Sequence, residues 1–176
     1  MNKIEFITDS EIYHKVILER IPDAKEFLWI ATSDIKDLYV KKADKMVPFL
    51  KILSELINKG VIVRLIHAKE PGPAFRKDFD KYPNLTEGLE RILCPRCHLK
   101  TVVIDGQFAY IGSANLTGAG MGAKGDTKRN FESGIITTDK QMIDQIMQHY
   151  DEIWMGSYCE KCRRKQFCAD YKDILG

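Results

Sequence analysis

The residues best suited to chemistry lie between His98 and Asn115. The segment begins His98-Leu99-Lys100-Thr101-Val102-Val103-Ile104-Asp105, an HxKxxxxD pattern, and six residues later it continues as Gly112-Ser113-Ala114-Asn115, a GSxN pattern. With ordinary residue usage, the first pattern arises by chance in on the order of one in a hundred chains of this length. The GSxN residues at fixed offsets make the combination far rarer, so we interpret it as a functional motif.

The spacing of these residues favours the binding of a tetrahedral anion. His98 and Lys100 are two positions apart in a predicted strand, so both side chains project from one face. The imidazole can act there as nucleophile or base beside a cation. Gly112 lets the backbone pass close to a ligand, and Ser113 and Asn115 supply a hydroxyl and an amide that can bond phosphate oxygens.

Two carboxylates can be connected with this motif. Glu132 shares a face with Asn130 on a later predicted strand, and it could hold the distal ring nitrogen of His98, which would leave Nε2 free to attack. Asp105 precedes Gly106 at a predicted hairpin turn, where an aspartate needs no catalytic explanation. A catalytic and a purely structural role for Asp105 therefore both stay open.

The HxKxxxxD block followed by GSxN resembles the signature of the phospholipase D superfamily, and the similarity is specific over about Cys97 to Gly134. In that superfamily the signature histidine attacks phosphorus to form a phosphohistidine, a second histidine protonates the leaving oxygen, and the chemistry needs no metal or other cofactor. The resemblance implies the roles of nucleophile for His98, phosphate ligand for Lys100 and Asn115, assisting group for Ser113 and orienting group for Glu132, with Asp105 completing the catalytic block.

A second histidine requires a second copy of the motif. The chain has one copy, because the other HxK segment, His67-Ala68-Lys69, has Ala74 in place of the aspartate and no GSxN after it. In a two-fold symmetric dimer the same surface meets its copy, so two His98 side chains can converge, one as nucleophile and one as general acid. We therefore predict a homodimer.

Nucleic acid, DNA or RNA, is the expected substrate, and endonuclease the expected activity. Small members of the superfamily with one motif resemble endonucleases more often than lipases. Lys124, Lys128 and Arg129, in the glycine-rich segment before Glu132, could contact flanking phosphates. The alternatives are a phospholipase or other phosphodiesterase of the same superfamily, a nucleic-acid-binding module without turnover, and an iron-sulfur redox protein.

The cysteines form two clusters and indicate a metal site. They are Cys94 and Cys97, and then Cys159, Cys162 and Cys168. Two thiolates at CxxC spacing can chelate one ion from a tight turn, and a third can reach it from a short loop. We predict Cys94, Cys159, Cys162 and Cys168 as ligands, with Cys97 facing into packing, although Cys97 stays open as the fourth ligand. The spacing fits structural zinc, and it also resembles the 4Fe-4S cluster of certain helicase-nuclease and CRISPR-adaptation nucleases.

The charge balance excludes a protein that coats nucleic acid by charge alone. Lys and Arg number 27 against 25 Asp and Glu, a formal net charge of +2, so any anion site must be local. The first residues mix Lys3, Glu5 and Asp9 into apolar positions, unlike a signal peptide, and no apolar run is long enough for a membrane span. We expect a cytoplasmic protein without a membrane anchor.

The elements that must position these residues alternate between strand and helix. Strands are predicted at 3–8, 27–31, 61–66, 99–104, 108–111 and 131–137, and amphipathic helices at 46–57 and 142–154. A chain of 176 residues is long enough for one domain. We predict an α/β fold, a phospholipase D-like mixed β-sheet flanked by helices, with a catalytic domain over residues 1–155 and a cysteine-rich metal-binding tail over 156–176 packed on it.

Overall fold

A seven-stranded mixed sheet organises the protein. The structure is a computed structural model and describes residues 3–36 and 38–170. The strands are β1 (Ile4–Thr8), β2 (Phe27–Thr32), β3 (Tyr39–Lys42), β4 (Lys45–Pro48), β5 (Ile62–His67), β6 (Leu89–Leu93), β7 (Thr101–Ile104), β8 (Phe108–Gly112) and β9 (Ser133–Thr137). The sheet order is β1-β9-β8-β7-β2-β5-β6, while β3 and β4 pair separately. β2, β5 and β6 run parallel and the other pairs antiparallel, which confirms the predicted mixed sheet.

Helices cover both faces of this sheet. They are α1 (Ser10–Ile12), which continues as a π-helix (Tyr13–Arg20) and a 3-10 turn (Ile21–Asp23), then α2 (Phe49–Asn58), α3 (Pro73–Phe79), α4 (Asn84–Gly88), α5 (Lys140–Trp154) and a 3-10 turn (Lys165–Phe167). In the described part of the chain, no helix is both long and apolar enough to cross a bilayer.

Strand β2 separates two hydrophobic layers. Leu28 and Ile30 belong to the larger layer under the π-helix and α2, whereas Trp29 points to the α5 side, because successive strand residues face opposite ways. Trp29 stacks on Tyr150 of α5 with ring centroids 5.0 Å apart, and the Tyr150 hydroxyl donates to the carbonyl of Ile30 at 3.3 Å. Because both faces of β2 are buried, its position in the sheet is fixed, and with it the position of the strand end at the site.

Two segments differ from the sequence prediction. The helix predicted from Met46 begins at Phe49, because Met46 and its neighbours pair with β3 as strand β4. The sequence predicts no strand between 67 and 98, but Leu89–Leu93 forms edge strand β6 beside β5. The predicted domain boundary near residue 155 stays a prediction, and 171–176 of the tail lie outside the described residues.

Candidate active site

The HxK segment lies directly before β7, in the middle of the sheet. His98 is exposed and Lys100 is half-buried, and the Lys100 carbonyl still accepts the backbone N–H of Gly112 at 3.1 Å. This bond extends the pairing of β7 and β8 beyond the strand end at Thr101. It therefore holds the HxK segment beside the beginning of the GSxN segment.

Lys100 and His98 are in direct contact. The Lys100 Nζ lies 3.1 Å from Nδ1 of His98 and donates to the His98 carbonyl oxygen at 2.8 Å and to Ser33 Oγ at 2.9 Å. Burial lowers the pKa of Lys100 from its ordinary value, while the negative charge of Glu132 acts in the opposite direction. The ammonium group is thus fixed beside the imidazole.

Ser33 joins the two motifs and was not predicted from the sequence. Its hydroxyl accepts from Lys100 and donates to Oδ1 of Asn115 at 2.7 Å. The Asn115 oxygen also accepts from the Asp34 backbone N–H at 3.2 Å and from Thr32 Oγ1 at 3.4 Å. Because Oδ1 takes these donors, the amide orientation is fixed and its NH2 group is the part left to donate to a ligand.

One sequence feature could have identified Ser33 as a site residue. This feature is the polar run Thr32-Ser33-Asp34 at the end of the buried strand β2. β2 pairs antiparallel with β7, so its end lies where the HxK segment begins. Polar side chains at the end of a buried strand next to a catalytic strand are candidates for a site. The partner of Ser33, Asn115, is 82 positions away along the chain, and local patterns do not show such contacts.

Glu132 contacts Ser113 rather than His98. Ser113 Oγ donates to Oε2 of Glu132, and Asn130 donates to Oε1 at 3.1 Å. Among the hydrogen bonds of the described residues, Glu132 makes none to His98, so the predicted orienting contact is not made in this structure. The charge of Glu132 nonetheless acts on Lys100, so the carboxylate lies close enough to the HxK segment to interact with it electrostatically.

Asp9 fixes the position of Glu132. Asp9 is the N-cap residue of α1, but its side chain makes no capping bond and instead accepts the backbone N–H of Glu132 at 2.9 Å. The Asp9 N–H in turn donates to the Glu132 carbonyl at 2.9 Å. Asp9 has a φ of 46°, a conformation that costs energy for a residue with a Cβ. We interpret Asp9 as a positioning residue for Glu132.

Asp105 lies at the other end of β7 from His98. Asp105 and Gly106 have φ of 52° and 61°, as a tight hairpin turn requires, which confirms the predicted turn. The Asp105 carboxylate accepts the backbone N–H groups of Lys25, Glu26 and Phe27 at 2.9, 2.8 and 2.8 Å. These contacts favour a structural role for Asp105 over a catalytic one.

Replacing Asp105 by alanine should destabilise the protein without changing the chemical step. Three backbone donors lose their acceptor, and alanine is strained at positive φ, so we expect a loss of about 2 kcal/mol in the free energy of unfolding. Asp105→Asn, which tolerates this backbone and keeps one acceptor oxygen, should lose less. Urea unfolding gives both values. A kcat reduced more than about tenfold in folded Asp105→Asn would contradict the structural role.

The glycine-rich segment is packed against the site. Met121 of this segment is buried, and backbone hydrogen bonds join its turns. A Cβ at Gly120 would lie 2.6 Å from the Asn115 carbonyl oxygen, so only glycine allows this approach. Of the predicted basic contacts, Lys124 and Lys128 are exposed, and Arg129 pairs with Asp126 at 2.7 Å.

A surface pocket extends from the HxK segment along α5. His98 and Lys100 line it on one side, and Met142, Ile146 and His149 of α5 line the other. His149 is exposed. His98 and His149 both line a second pocket that leads toward Cys94, Cys159 and Cys162.

Cys97 differs from the other cysteines in its burial. It is buried, its Sγ lies 3.8 Å from the carbonyl oxygen of Thr32, and burial raises its pKa to about 11. These contacts agree with its predicted place in packing. The predicted metal ligands Cys94, Cys159, Cys162 and Cys168 are all half-buried free thiols. Within residues 3–36 and 38–170, no three His, Cys, Asp or Glu side chains are grouped closely enough to hold a metal ion.

Comparisons with known proteins agree on the fold. In the curated set, the mitochondrial cardiolipin hydrolase of Chlamydomonas reinhardtii is 28% identical over 104 residues, 58% of this chain and 44% of that protein. The chain thus spans less than half the length of this relative. Nuc of Salmonella typhimurium, described as a phospholipase D family member, superposes with a TM-score of 0.63 at 16% identity, over 86% of this chain and 93% of that one. NucT of Helicobacter pylori gives 0.62 at 16% identity, over 86% and 96%.

The family comparison covers most of the chain and includes the site. The family described as "Cardiolipin synthase, PLD-like domain" matches residues 17–154, which contain His98, Lys100, Ser113, Asn115 and Glu132. The match confirms the resemblance that the HxKxxxxD and GSxN patterns indicate. The chain therefore belongs to the PLD-like domain family, within the phospholipase D superfamily of phosphodiesterases.

Proposed function

We propose that this protein is a nuclease that cleaves phosphodiester bonds through a covalent intermediate on His98. The observation that carries the proposal is the contact network of His98, Lys100, Ser33 and Asn115. It combines an exposed imidazole, a fixed ammonium group and an oriented amide. These groups supply a nucleophile and the charge stabilisation that phosphoryl transfer needs.

The reaction runs in two balanced steps. In the first, Nε2 of His98 forms a bond to phosphorus while the bond to the leaving oxygen breaks, and a general acid gives that oxygen a proton. In the second, water attacks phosphorus, the deprotonated acid takes a proton from the water, and the bond to Nε2 breaks. Lys100 and the amide of Asn115 stabilise the charge on the non-bridging oxygens in both steps.

The first step sets a condition on the His98 tautomer. Attack by Nε2 needs a free lone pair, so the ring proton must be on Nδ1, where the Lys100 ammonium group now lies. A phosphate anion attracts an ammonium group more strongly than neutral imidazole does. We therefore expect Lys100 to turn toward the bound phosphate, after which the Glu132 carboxylate can accept a hydrogen bond from Nδ1–H and orient the ring.

A homodimer would supply the general acid, as His98 of the second subunit. Of the other histidines, His67 is buried with Nδ1 bonded to the carbonyl of Lys69 at 2.8 Å, and burial lowers its pKa. His14 lies on the π-helix against Tyr13. His149 alone shares a pocket with His98 among the described residues. His149 is therefore the alternative general acid within the same chain, and a test of the dimer must exclude it.

Hydrolysis of a phospholipid is the second candidate activity. One relative carries the name cardiolipin hydrolase, and the pocket beside His98 includes the apolar side chains of Leu99, Met142 and Ile146. Nucleic acid is favoured because Lys124 and Lys128, in the loop packed on Asn115, are exposed and basic. An extended polyanion can reach these side chains and the site together.

A substrate panel tests the proposed function. The purified chain is incubated with single-stranded DNA, duplex DNA, RNA and vesicles containing cardiolipin, each with a chelator present. We expect cleavage of a nucleic acid and no conversion of cardiolipin to phosphatidic acid and phosphatidylglycerol. Hydrolysis of cardiolipin alone would support the second candidate. Binding of nucleic acid without turnover of any substrate would indicate a binding module and would exclude both activities.

The basic loop should contribute to affinity rather than to chemistry. We expect the double variant Lys124→Ala, Lys128→Ala, made in the His98→Ala background, to bind an oligonucleotide more weakly. The dependence of log affinity on log salt should fall by about one for each lost phosphate contact. Lys59→Ala is the matched control, because Lys59 precedes β5 at the opposite end of the sheet. An unchanged salt dependence would remove the loop from the binding surface.

A further inference from the structure

The segment after α5, residues 155–170, has no hydrophobic core of its own. None of residues 155–170, all described, is buried. Tyr158 and Phe167, its largest apolar side chains, are 49% and 60% exposed. Its secondary structure is limited to turns and the 3-10 turn Lys165–Phe167. A segment this small that buries so little apolar surface needs another source of stability, such as a metal or a covalent link.

This segment folds back onto the residues that lead to His98. Cys168 Sγ donates to the carbonyl of Leu93 at 3.3 Å, and the carboxylate of Asp170 accepts the Leu93 backbone N–H. Leu93 ends β6 and is followed directly by Cys94, which lines one pocket together with Cys159 and Cys162. Three thiols from two distant parts of the chain therefore line one pocket, and Cys168 contacts Leu93, the residue before Cys94.

The backbone around these thiols has turns typical of metal-binding cysteines. The Cys162 N–H donates to the Cys159 carbonyl at 3.1 Å, which closes the CxxC turn. The Arg164 N–H donates to Cys162 Sγ at 3.4 Å, and a backbone donor at this position stabilises a thiolate. Cys94 and Cys97 form a second closed CxxC turn at 2.8 Å, but Cys97 is buried and directed at Thr32.

We propose that Cys94, Cys159, Cys162 and Cys168 bind a metal centre as thiolates, and that this centre fixes the tail against the loop before His98. The chemistry is a four-sulfur site, which fits structural zinc or an iron-sulfur cluster. The thiols are not at ligand distances from one another in the structure. All four are half-buried rather than packed in the core, so binding would require their side chains to turn toward one centre, with release of the thiol protons.

The experiment measures metal on the full chain, independently of any enzymatic activity. The protein is purified without oxygen, and its zinc, iron and acid-labile sulfide are quantified beside its visible absorption spectrum. We expect one centre per chain: zinc without colour, or iron and sulfide with brown absorption. Protein stripped of metal should bind Co²⁺ with intense sulfur-to-cobalt absorption, and limited proteolysis should release the tail faster from the stripped form.

Single variants separate the proposed ligands from Cys97. Cys162→Ser and Cys168→Ser should lose stoichiometric metal yet keep the thermal unfolding of the sheet, because neither side chain is buried. Cys97→Ala should retain metal. Loss of metal in Cys97→Ala but not in Cys94→Ser would overturn the proposed ligand set. Protein that retains no metal and gives no sulfur-to-cobalt absorption would overturn the site itself, whatever the substrate panel shows for nuclease activity.

Discussion

Replacing His98 by alanine is expected to abolish cleavage of the phosphodiester substrate, with kcat lowered by at least about 10,000-fold. The change removes the proposed nucleophile and, in a dimer, the general acid of the other subunit. The side chain is exposed, so the variant should fold with an unchanged melting temperature. Activity is measured under single-turnover conditions with chelator present, so that contaminating metal-dependent nucleases are inactive.

The covalent intermediate gives this prediction a second readout. Wild-type protein quenched during turnover of an oligonucleotide labelled at the scissile phosphate should carry the label in an acid-labile, base-stable form, as phosphohistidine does. His98→Ala should carry none. His149→Ala is the matched control, because His149 lines the same pocket and is also an exposed histidine. If the label were retained in His98→Ala but lost in His149→Ala, the nucleophile would be His149 and not His98.

Mixed subunits test whether two copies of His98 act in one site. If wild-type and His98→Ala chains exchange freely and a dimer needs both imidazoles, activity should follow the square of the wild-type fraction. An equal mixture would then keep about a quarter of the activity expected for undiluted wild type. Activity proportional to the wild-type fraction would indicate that each chain works alone, and His149 would then be the candidate acid.

The motif could be predicted from the sequence because its information is local. His98 and Lys100 are two positions apart at a strand, and Asp105-Gly106 specifies the turn that returns the chain to Gly112. The β7 and β8 pairing then follows from that turn, and it brings the HxK and GSxN segments together. The same reasoning identified the buried strands and α5, whose apolar side chains recur at clear periods.

The contacts that hold the motif could not be predicted, because they join segments far apart in the chain. Ser33 reaches Lys100 and Asn115 only because β2 lies beside β7 in the sheet. Asp9 reaches Glu132 only because β1 pairs with β9. Neither pairing has a local signature. Leu89–Leu93 was missed for a similar reason, since an edge strand takes its conformation from β5 rather than from its own pattern.

Asn115→Asp should lower kcat by roughly 100- to 1,000-fold while leaving the fold unchanged. The substitution keeps an oxygen where Ser33 Oγ and the Asp34 N–H donate to Oδ1, so the local structure retains its acceptor. The NH2 group, which is oriented to donate to the phosphate, is replaced by a negatively charged oxygen. This oxygen repels the phosphate. The loss should appear in the chemical step because the amide stabilises charge that grows in the transition state.

Ser33→Ala separates the orientation of the amide from its presence. This variant keeps Asn115 but removes the hydroxyl that connects Oδ1 to Lys100, so we expect a smaller loss of about tenfold, with kcat affected more than KM. Combining the two substitutions should cost less than the product of the single effects, because both act through one amide. Full activity in Asn115→Asp, with an unchanged melting temperature, would show that phosphate charge is stabilised elsewhere and that the Ser33 network is structural.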